Sequence, residues 1–394
     1  MSKALSYVMV TPYTVAKSRT GGVLSRLLSR VDLELVGAQM IAPDQVFATE
    51  YAAKLRRYNA PNDQTLLADY VAQNLGPSGG RRHRTLLLLL RGENPCEKLV
   101  DICGHILHVT QSQDIDALSG EKIRDTYADL IISHDDPGTV TYFEPAVLTP
   151  RNQEEAEEDL SFFAQFLKGQ ESIIQNISYP DPAKIERTLV IIKPDNWDHP
   201  SSKPGTIIDM FSRTGLRIVG IKVHRFSLAE ALEFYGPVEG ALQKKLGPVF
   251  GKKAREILEK ELGFSLSDET GQRLVETVGA EYARDQFRRI VKYMSGTRPE
   301  ECPPGESRSP GHVMCLILIY EGENAIAKIR DVLGPTDPLK APSGTVRREF
   351  GSNVMENTAH ASDSRESVER ETGIVRTNEN SMGEIIRTYL AERA

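Results

Sequence analysis

The sequence predicts an α/β protein of two related sandwiches in tandem. Three observations predict it: strands and helices alternate in each half, the halves repeat the same motifs in the same order, and a polar stretch divides them. Residues 24–40 (LSRLLSRVDLELVGAQM) and 207–223 (IIDMFSRTGLRIVGIKV) each read as an amphipathic helix, a Ser-Arg pair, then a strand containing Val-Gly. Upstream, Val8 to Pro12 faces Val190 to Pro194; downstream, Leu86 to Asn94 (LLLLLRGEN) resembles Leu316 to Asn324 (LILIYEGEN). Ser119-Gly120 with Arg124 and Tyr127 parallels Ser343-Gly344 with Arg347 and Phe350. Four collinear matches mark two diverged copies of one fold. The strand-helix order suits a ferredoxin-like α/β sandwich with antiparallel pairing.

The predicted domains are 1–168, a linker over 169–186 (polar, two prolines, no periodicity), and 187–394 with an insertion at 237–282. In the second copy Arg187 to Ile192 is a strand. Pro204 opens a helix that stops by Gly215, proline first and glycine last. Leu216 to Phe226 is a strand, and Ser227 to Glu230 is a capping box opening a short helix that ends near Tyr235. Residues 237–282 read as helical and charged, 284–294 as a helix, and 297–311 as a surface loop. Val313 to Tyr320 is a strand, Glu323 to Leu333 a helix, and 334–345 a Gly/Pro-rich loop.

Composition bounds the function. The 394 residues are 40% hydrophobic and 26% charged, enough for two cores. Lys plus Arg number 48 against 55 acidic residues, a net charge of −7. That balance speaks against bulk nucleic-acid or anionic-membrane binding. Four cysteines form no dense framework, no signal peptide stands at the N-terminus, and the longest apolar run is Leu86 to Leu90, a strand. The expectation is a soluble, cytoplasmic protein.

The chemistry concentrates in Asn357-Thr-Ala-His360-Ala-Ser362-Asp363-Ser364. Asp363 or Ser364 reads as the N-cap of a helix over Arg365 to Glu371, closed by Gly373. His360 just before a helix N-terminus would be kept uncharged by the dipole, and the same spot attracts phosphate.

This stretch resembles the nucleoside diphosphate kinase signature, an Asn three residues before the active His and Ser-Asp-Ser after it. Other segments of 187–394 resemble the family in order: Arg187 to Asp195 with its Lys193, Tyr235 at a helix end, Val291 to Gly296, and the Glu321-Gly322 start of the helix bearing Arg330. Gly334 to Pro338 and Ser343 to Arg347 are similar to the nucleotide-site loop. The resemblance implies Mg²⁺-dependent exchange of phosphate between nucleoside tri- and diphosphates through a phosphohistidine at His360. It places Ser362 and Glu371 with His360 in the catalytic set, Glu371 where a carboxylate helps fix the ring. Lys193, Tyr235, Arg330, Thr336, Arg347 and Asn357 would bind the nucleotide, and Mg²⁺ would be held mainly by its phosphates. Family members form hexamers or tetramers, so three tandem chains would mimic a hexamer.

Three departures motivate an alternative, a catalytically weak nucleotide-binding or scaffold protein. Ala361 stands where Gly usually follows the His, its methyl expected to tighten the pocket. Gln286 falls where an aromatic stacks the base, with Phe287 and Phe250 as substitutes. The insertion reads as a lid, an oligomer contact or decoration.

The first half reads as a degenerate, structural or regulatory copy. Thr11 replaces the Lys, Val100 the helix Arg, and the region near Leu148 lacks both Asn and His, whereas Arg124 is retained. The Glu154 to Asp159 run reads as a solvated helix face, and Arg81 to Arg84 as a solvated loop. Cys103, His105 and His108 lack a second ligand pair for zinc.

Overall fold

A computed structural model describes residues 3–58, 62–106, 120–133, 135, 139–175 and 177–393. In chain order the first copy runs β1 (Ala4–Val10), α1 (Pro12–Ala16), α2 (Thr20–Arg30), β2 (Glu34–Ile41), α3 (Gln45–Arg57), α4 (Asn62–Asn74), β3 (Thr85–Gly92), α5 (Pro95–Cys103), α6 (Ile123–Tyr127), β4 (Asp129–Ile132), β5 (Val140–Glu144), β6 (Val147–Leu148) and α7 (Gln153–Leu167). The second runs β7 (Ile185–Ile192), α8 (Lys203–Ser212), β8 (Arg217–His224), α9 (Leu228–Leu262), α10 (Asp268–Leu274), α11 (Ala280–Ser295), β9 (Cys315–Glu323), α12 (Ala325–Leu333), α13 (Val346–Phe350), β10 (Ala359–Ala361), α14 (Arg365–Ile374) and α15 (Met382–Ala391).

The two main sheets share one topology. Their strand orders are β2-β3-β1-β6 and β10-β7-β9-β8, each the 2-3-1-4 order of a ferredoxin-like sandwich read from one edge or the other. A short β4-β5 ribbon stands apart. The central strands Leu86–Leu90 and Leu189–Ile192 are apolar without alternation because both of their faces are buried. The backbone repeats as well. Asn94 and Asn324 take φ of 48° and 53° before α5 and α12, and Ala146 and Thr358 take 61° and 68° before β6 and β10.

The chain divides into two compact units. One holds both sheets (Met1–Val223, Leu316–Glu369 and Arg376–Ala394); the other is His224–Cys315 with Arg370–Val375. Within the first unit α2 packs against α8, so closely that a Cβ at Gly21 would overlap the Asp209 backbone and one at Gly205 that of Ser25. Ser25 Oγ donates to the Ser202 carbonyl at 3.1 Å across this crossing. Within the expected linker Ile173 bridges Gly220, and Ile174 N donates to Val219 O at 2.9 Å. Helix α15 lies on α7 and β2, burying Met382, Ile386 and Tyr389 with Leu5 and Phe163, so a helix from within 187–394 completes the first copy's outer core.

The second unit is helical. Its α9 opens on the expected capping box, with Glu230 N to Ser227 Oγ at 3.2 Å and Ser227 N to Glu230 Oε2 at 2.9 Å. The helix does not stop near Tyr235, however, but runs 35 residues through Pro237 and Pro248. Pro237 cannot donate to the Glu233 carbonyl. Arg370 Nη1 supplies the missing donor, at 3.4 Å to Glu233 O and 3.1 Å to Phe234 O. Helix α11 packs on α9, with Gly279 seated against the Gly247 carbonyl. Phe250 stacks on Tyr282 with centroids 3.5 Å apart.

Several expectations change. The Glu154 to Asp159 run is not a solvated face: Glu155 and Asp159 are buried, Glu155 paired with Arg151 and Asp159 accepting from Tyr7 (2.7 Å) and Tyr58 (3.1 Å). Gly373 does not close α14, which runs to Ile374; the left-handed residue after it is Arg376, at φ 50°. Ser119 and His108 lie outside the described residues. Among those described, no helix is long and apolar enough to cross a membrane.

Candidate active site

His360 occupies the middle of β10, paired with Ile191 on β7. It is half-buried and sits on a strand rather than directly at the start of α14. Ala361, Ser362 and Asp363 separate it from the N-cap, which is Ser364: its Oγ accepts from Ser367 N at 3.1 Å. Alternation along β10 puts Ala359 and Ala361 on the opposite face from His360. Both alanines are buried in the core cluster. The Ala361 methyl therefore packs inward and does not tighten the pocket. Ser362 is fully buried and extends the ladder, its N donating to Leu189 O at 3.1 Å.

The residues before β10 hold the amine. Lys193 caps the end of β7, and its N donates to Thr358 O at 2.9 Å. Its Nζ donates to Asn357 Oδ1 at 2.7 Å and Met355 O at 3.1 Å. Asn357 in turn donates through Nδ2 to Thr336 O and Val354 O, each at 2.9 Å. Lys193 and Asn357 are both buried, so this pair is held against the backbone.

Arg347 braces the other side. It is 8% exposed, and its guanidinium donates to Gly334 O (3.0 Å) and Ala359 O (2.9 Å), joining the α12–α13 loop to β10 one residue before His360. Arg330 projects from α12 and is exposed. The Asp363 carboxyl lies below its ordinary range. The Ser367 hydroxyl, 2.7 Å from Oδ1, is the main cause; burial opposes it, and Arg330 and His360 add positive potential.

Lys193, Thr336, Arg347, Asn357 and His360 therefore meet around β10, while Arg330 stands exposed on α12. Tyr235 and Glu371 belong to the helical unit, where Tyr235 packs on Phe234 (5.0 Å between centroids) and Glu371 contacts Arg370 at 3.2 Å. Both are buried. Two residues escaped the motif reading. Asn196 donates to Lys193 O (2.9 Å) and Thr358 O (2.8 Å), pinning the two strand ends together. Thr358 holds φ of 68°, costly for a β-branched residue and matched by Ala146 at 61° in the first copy. Pro194-Asp195-Asn196, a turn sequence right after Lys193, carried the signal for the first; nothing local marked the second.

A family model described as nucleoside diphosphate kinase matches residues 186–245 and 307–380. The nucleoside diphosphate kinase of Anaeromyxobacter sp. (strain Fw109-5) is 32% identical over 186 residues, 47% of this chain and 86% of that protein. That of Bdellovibrio bacteriovorus is 31% identical over 190 residues, covering 48% and 92%. Among solved structures, an NDP kinase from Pyrobaculum aerophilum is 28% identical over 48% of this chain and 94% of its own, with a TM-score of 0.32. The chain belongs to the nucleoside diphosphate kinase family.

The nucleoside diphosphate kinase match leaves residues 246–306 uncovered, all inside the helical unit. It also leaves the first copy uncovered, and the strand register explains why. Val10 pairs with Val147 as Ile192 pairs with Ala359, which sets Thr11 at the Lys193 position and Leu148 at the His360 position. Gly104 N bonds Val100 O as Gly334 N bonds Arg330 O, so Val100 holds the Arg330 position. Arg124 keeps its place, donating to Gly104 O and, at 2.8 Å, to Val147 O. Thr11 Oγ1 donates to Glu144 Oε1 at 2.7 Å, and Tyr70 OH to the same carboxylate at 2.8 and 2.9 Å. Burial pushes the Glu144 carboxyl up. The strand frame of the second copy is repeated there, with an acid where the second copy gathers cations.

Proposed function

We propose that this chain moves the terminal phosphoryl group of a nucleoside triphosphate to a nucleoside diphosphate by way of phospho-His360. The observation that carries the reading is the gathering of Lys193, Arg347 and Asn357 around the strand that presents His360. A ring nitrogen attacks the terminal phosphorus, an N–P bond forms, and the P–O bond to the departing diphosphate breaks. A terminal oxygen of the second diphosphate then attacks and reverses the exchange. There is little covalent work beyond this, so rate comes from positioning and charge. Lys193 and Arg330 would neutralise the transferring group, and Arg347 and Asn357 would fix the loop and strand that frame it. Thr336 would bind phosphate, and Ser362 would steady the histidine.

Among the described residues no three or more His, Cys, Asp or Glu side chains are grouped to hold a metal. Mg²⁺ would enter with the phosphates, where it would supply charge neutralisation. We also infer that the tandem copies stand in for a dimer of single-copy subunits, with three chains completing the assembly. Sedimentation at three times the chain mass supports this; a monomer contradicts it.

The test is exchange of phosphate between ATP and GDP together with capture of an acid-labile, alkali-stable label from γ-labelled ATP. Label lost in His360→Asn supports the proposal. Nucleotide binding without exchange or label would instead favour a binding or scaffold role.

A further inference from the structure

The Arg81 to Arg84 cluster divides between solvent and the seam. Arg81 and Arg82 are exposed, but Arg84 is half-buried in the seam between the copies, and its Nη1 donates to Ile218 O on β8 at 2.8 Å. It lines a cavity of about 130 Å³ together with Arg217, Tyr320, Ser18, Thr20 and Ser212. Both copies contribute, and no carboxylate is among the described lining residues.

Three observations give this cavity a ligand class. First, it brings together two guanidiniums. Burial and, next, repulsion from Arg217 lower Arg84 to about 10, with Tyr179 and Glu321 only partly compensating. Glu321 is already engaged by Arg187 at 2.6 Å, and Arg217 lies over the Tyr179 ring at 4.8 Å. Second, Tyr320 is 1% exposed, and its hydroxyl has no hydrogen-bond partner. A fully buried hydroxyl left without a partner is costly unless it serves something. Third, the first copy carries Leu90 at the place of Tyr320, since Ser6 pairs with Leu90 as Thr188 pairs with Tyr320. The hydroxyl is thus an addition to the shared frame rather than part of it.

We propose that the seam cavity binds a compact oxyanion, of phosphate or carboxylate class, on the guanidinium of Arg84 and the hydroxyl of Tyr320. A guanidinium fork and a phenol donor suit a planar or tetrahedral oxyanion, and about 130 Å³ admits one but not a nucleotide. The site is separate from His360 and the cations around β10. Because both copies line it, a bound anion stabilises their packing by mass action.

The experiment titrates the full-length chain with inorganic phosphate and, separately, with acetate in a constant chloride background, following binding by calorimetry and the unfolding midpoint. Saturable binding of either anion is expected, and whichever arm binds names the class. Tyr320→Phe removes only an unpartnered hydroxyl, so the fold is kept; affinity should fall about tenfold, one charge-assisted hydrogen bond. Arg84→Gln should abolish binding while leaving ATP–GDP exchange unchanged. Lys193→Gln should leave seam binding intact. No binding in either arm at tens of millimolar, binding unchanged in Tyr320→Phe, or binding lost in Lys193→Gln but kept in Arg84→Gln would overturn the proposal.

Discussion

Arg124 and Arg347 make the same pair of bonds in the two copies: one to the glycine carbonyl closing a helix, one to the carbonyl of the strand residue paired with β1 or β7. The bracket is shared; only one strand then presents a histidine. Arg124→Met and Arg347→Met should therefore cost similar stability, about 1–3 kcal/mol each. Exchange activity should fall by at least 100-fold in Arg347→Met alone. Thermal unfolding alongside an exchange assay checks both, and equal activity losses would contradict the division of labour.

Lys193 and Asn357 form one unit through the 2.7 Å bond from Nζ to Oδ1. Asn357→Ala should lower exchange about tenfold or more by releasing the ammonium. In a Lys193→Gln background the same change should cost little, because neighbours on one network are non-additive. Full additivity in the double-mutant cycle would mean that Asn357 acts without Lys193.

Arg370 takes the carbonyls that Pro237 leaves open. Arg370→Ala should destabilise the helical unit by about 1–3 kcal/mol. Pro237→Ala restores an N–H to the Glu233 carbonyl, so it should recover much of the loss in the Arg370→Ala background. Chemical denaturation of the two single variants and the double variant decides it; no rescue means Arg370 matters for another reason.

Asp159 lies under Tyr7, Tyr51 and Tyr58 with Lys54 at 3.9 Å, and burial raises its pKa to about 6. An acid with a higher pKa folded than unfolded binds its proton more tightly in the fold. Its contribution is fully present below the unfolded value near 4 and is lost as pH rises through about 6. Relative to Asp159→Asn, the wild type should lose roughly 3 kcal/mol between pH 4 and 7. Unfolding midpoints across that range check the sign; parallel curves would contradict it.

The duplicated sandwich was legible because its signals are local: apolar strands, Gly-Glu-Asn before each helix, and a proline-first helix. The phosphate-handling set was legible because its residues lie in short segments whose order the fold preserves. What sequence reasoning missed depends on distant partners. Pro237 reads as a stop unless Arg370, far along the chain, can take the freed carbonyls. Glu155 and Asp159 read as solvated until Arg151, Tyr7 and Tyr58 come over them. Ala361 read as a pocket residue until its pairing with Val190 turned it inward, and Arg84 read as loop charge until β8 of the other copy came beside it.

The central claim is that His360, framed by Lys193, Arg347 and Asn357, carries the phosphoryl group. Its most direct measurement is stoichiometric labelling with γ-labelled ATP, compared in wild type, His360→Asn and Leu148→His/His360→Asn. One acid-labile label per chain is expected in wild type and none in either variant, because the first copy has Thr11 and Glu144 where the second has its cations. Label persisting without His360 would contradict it.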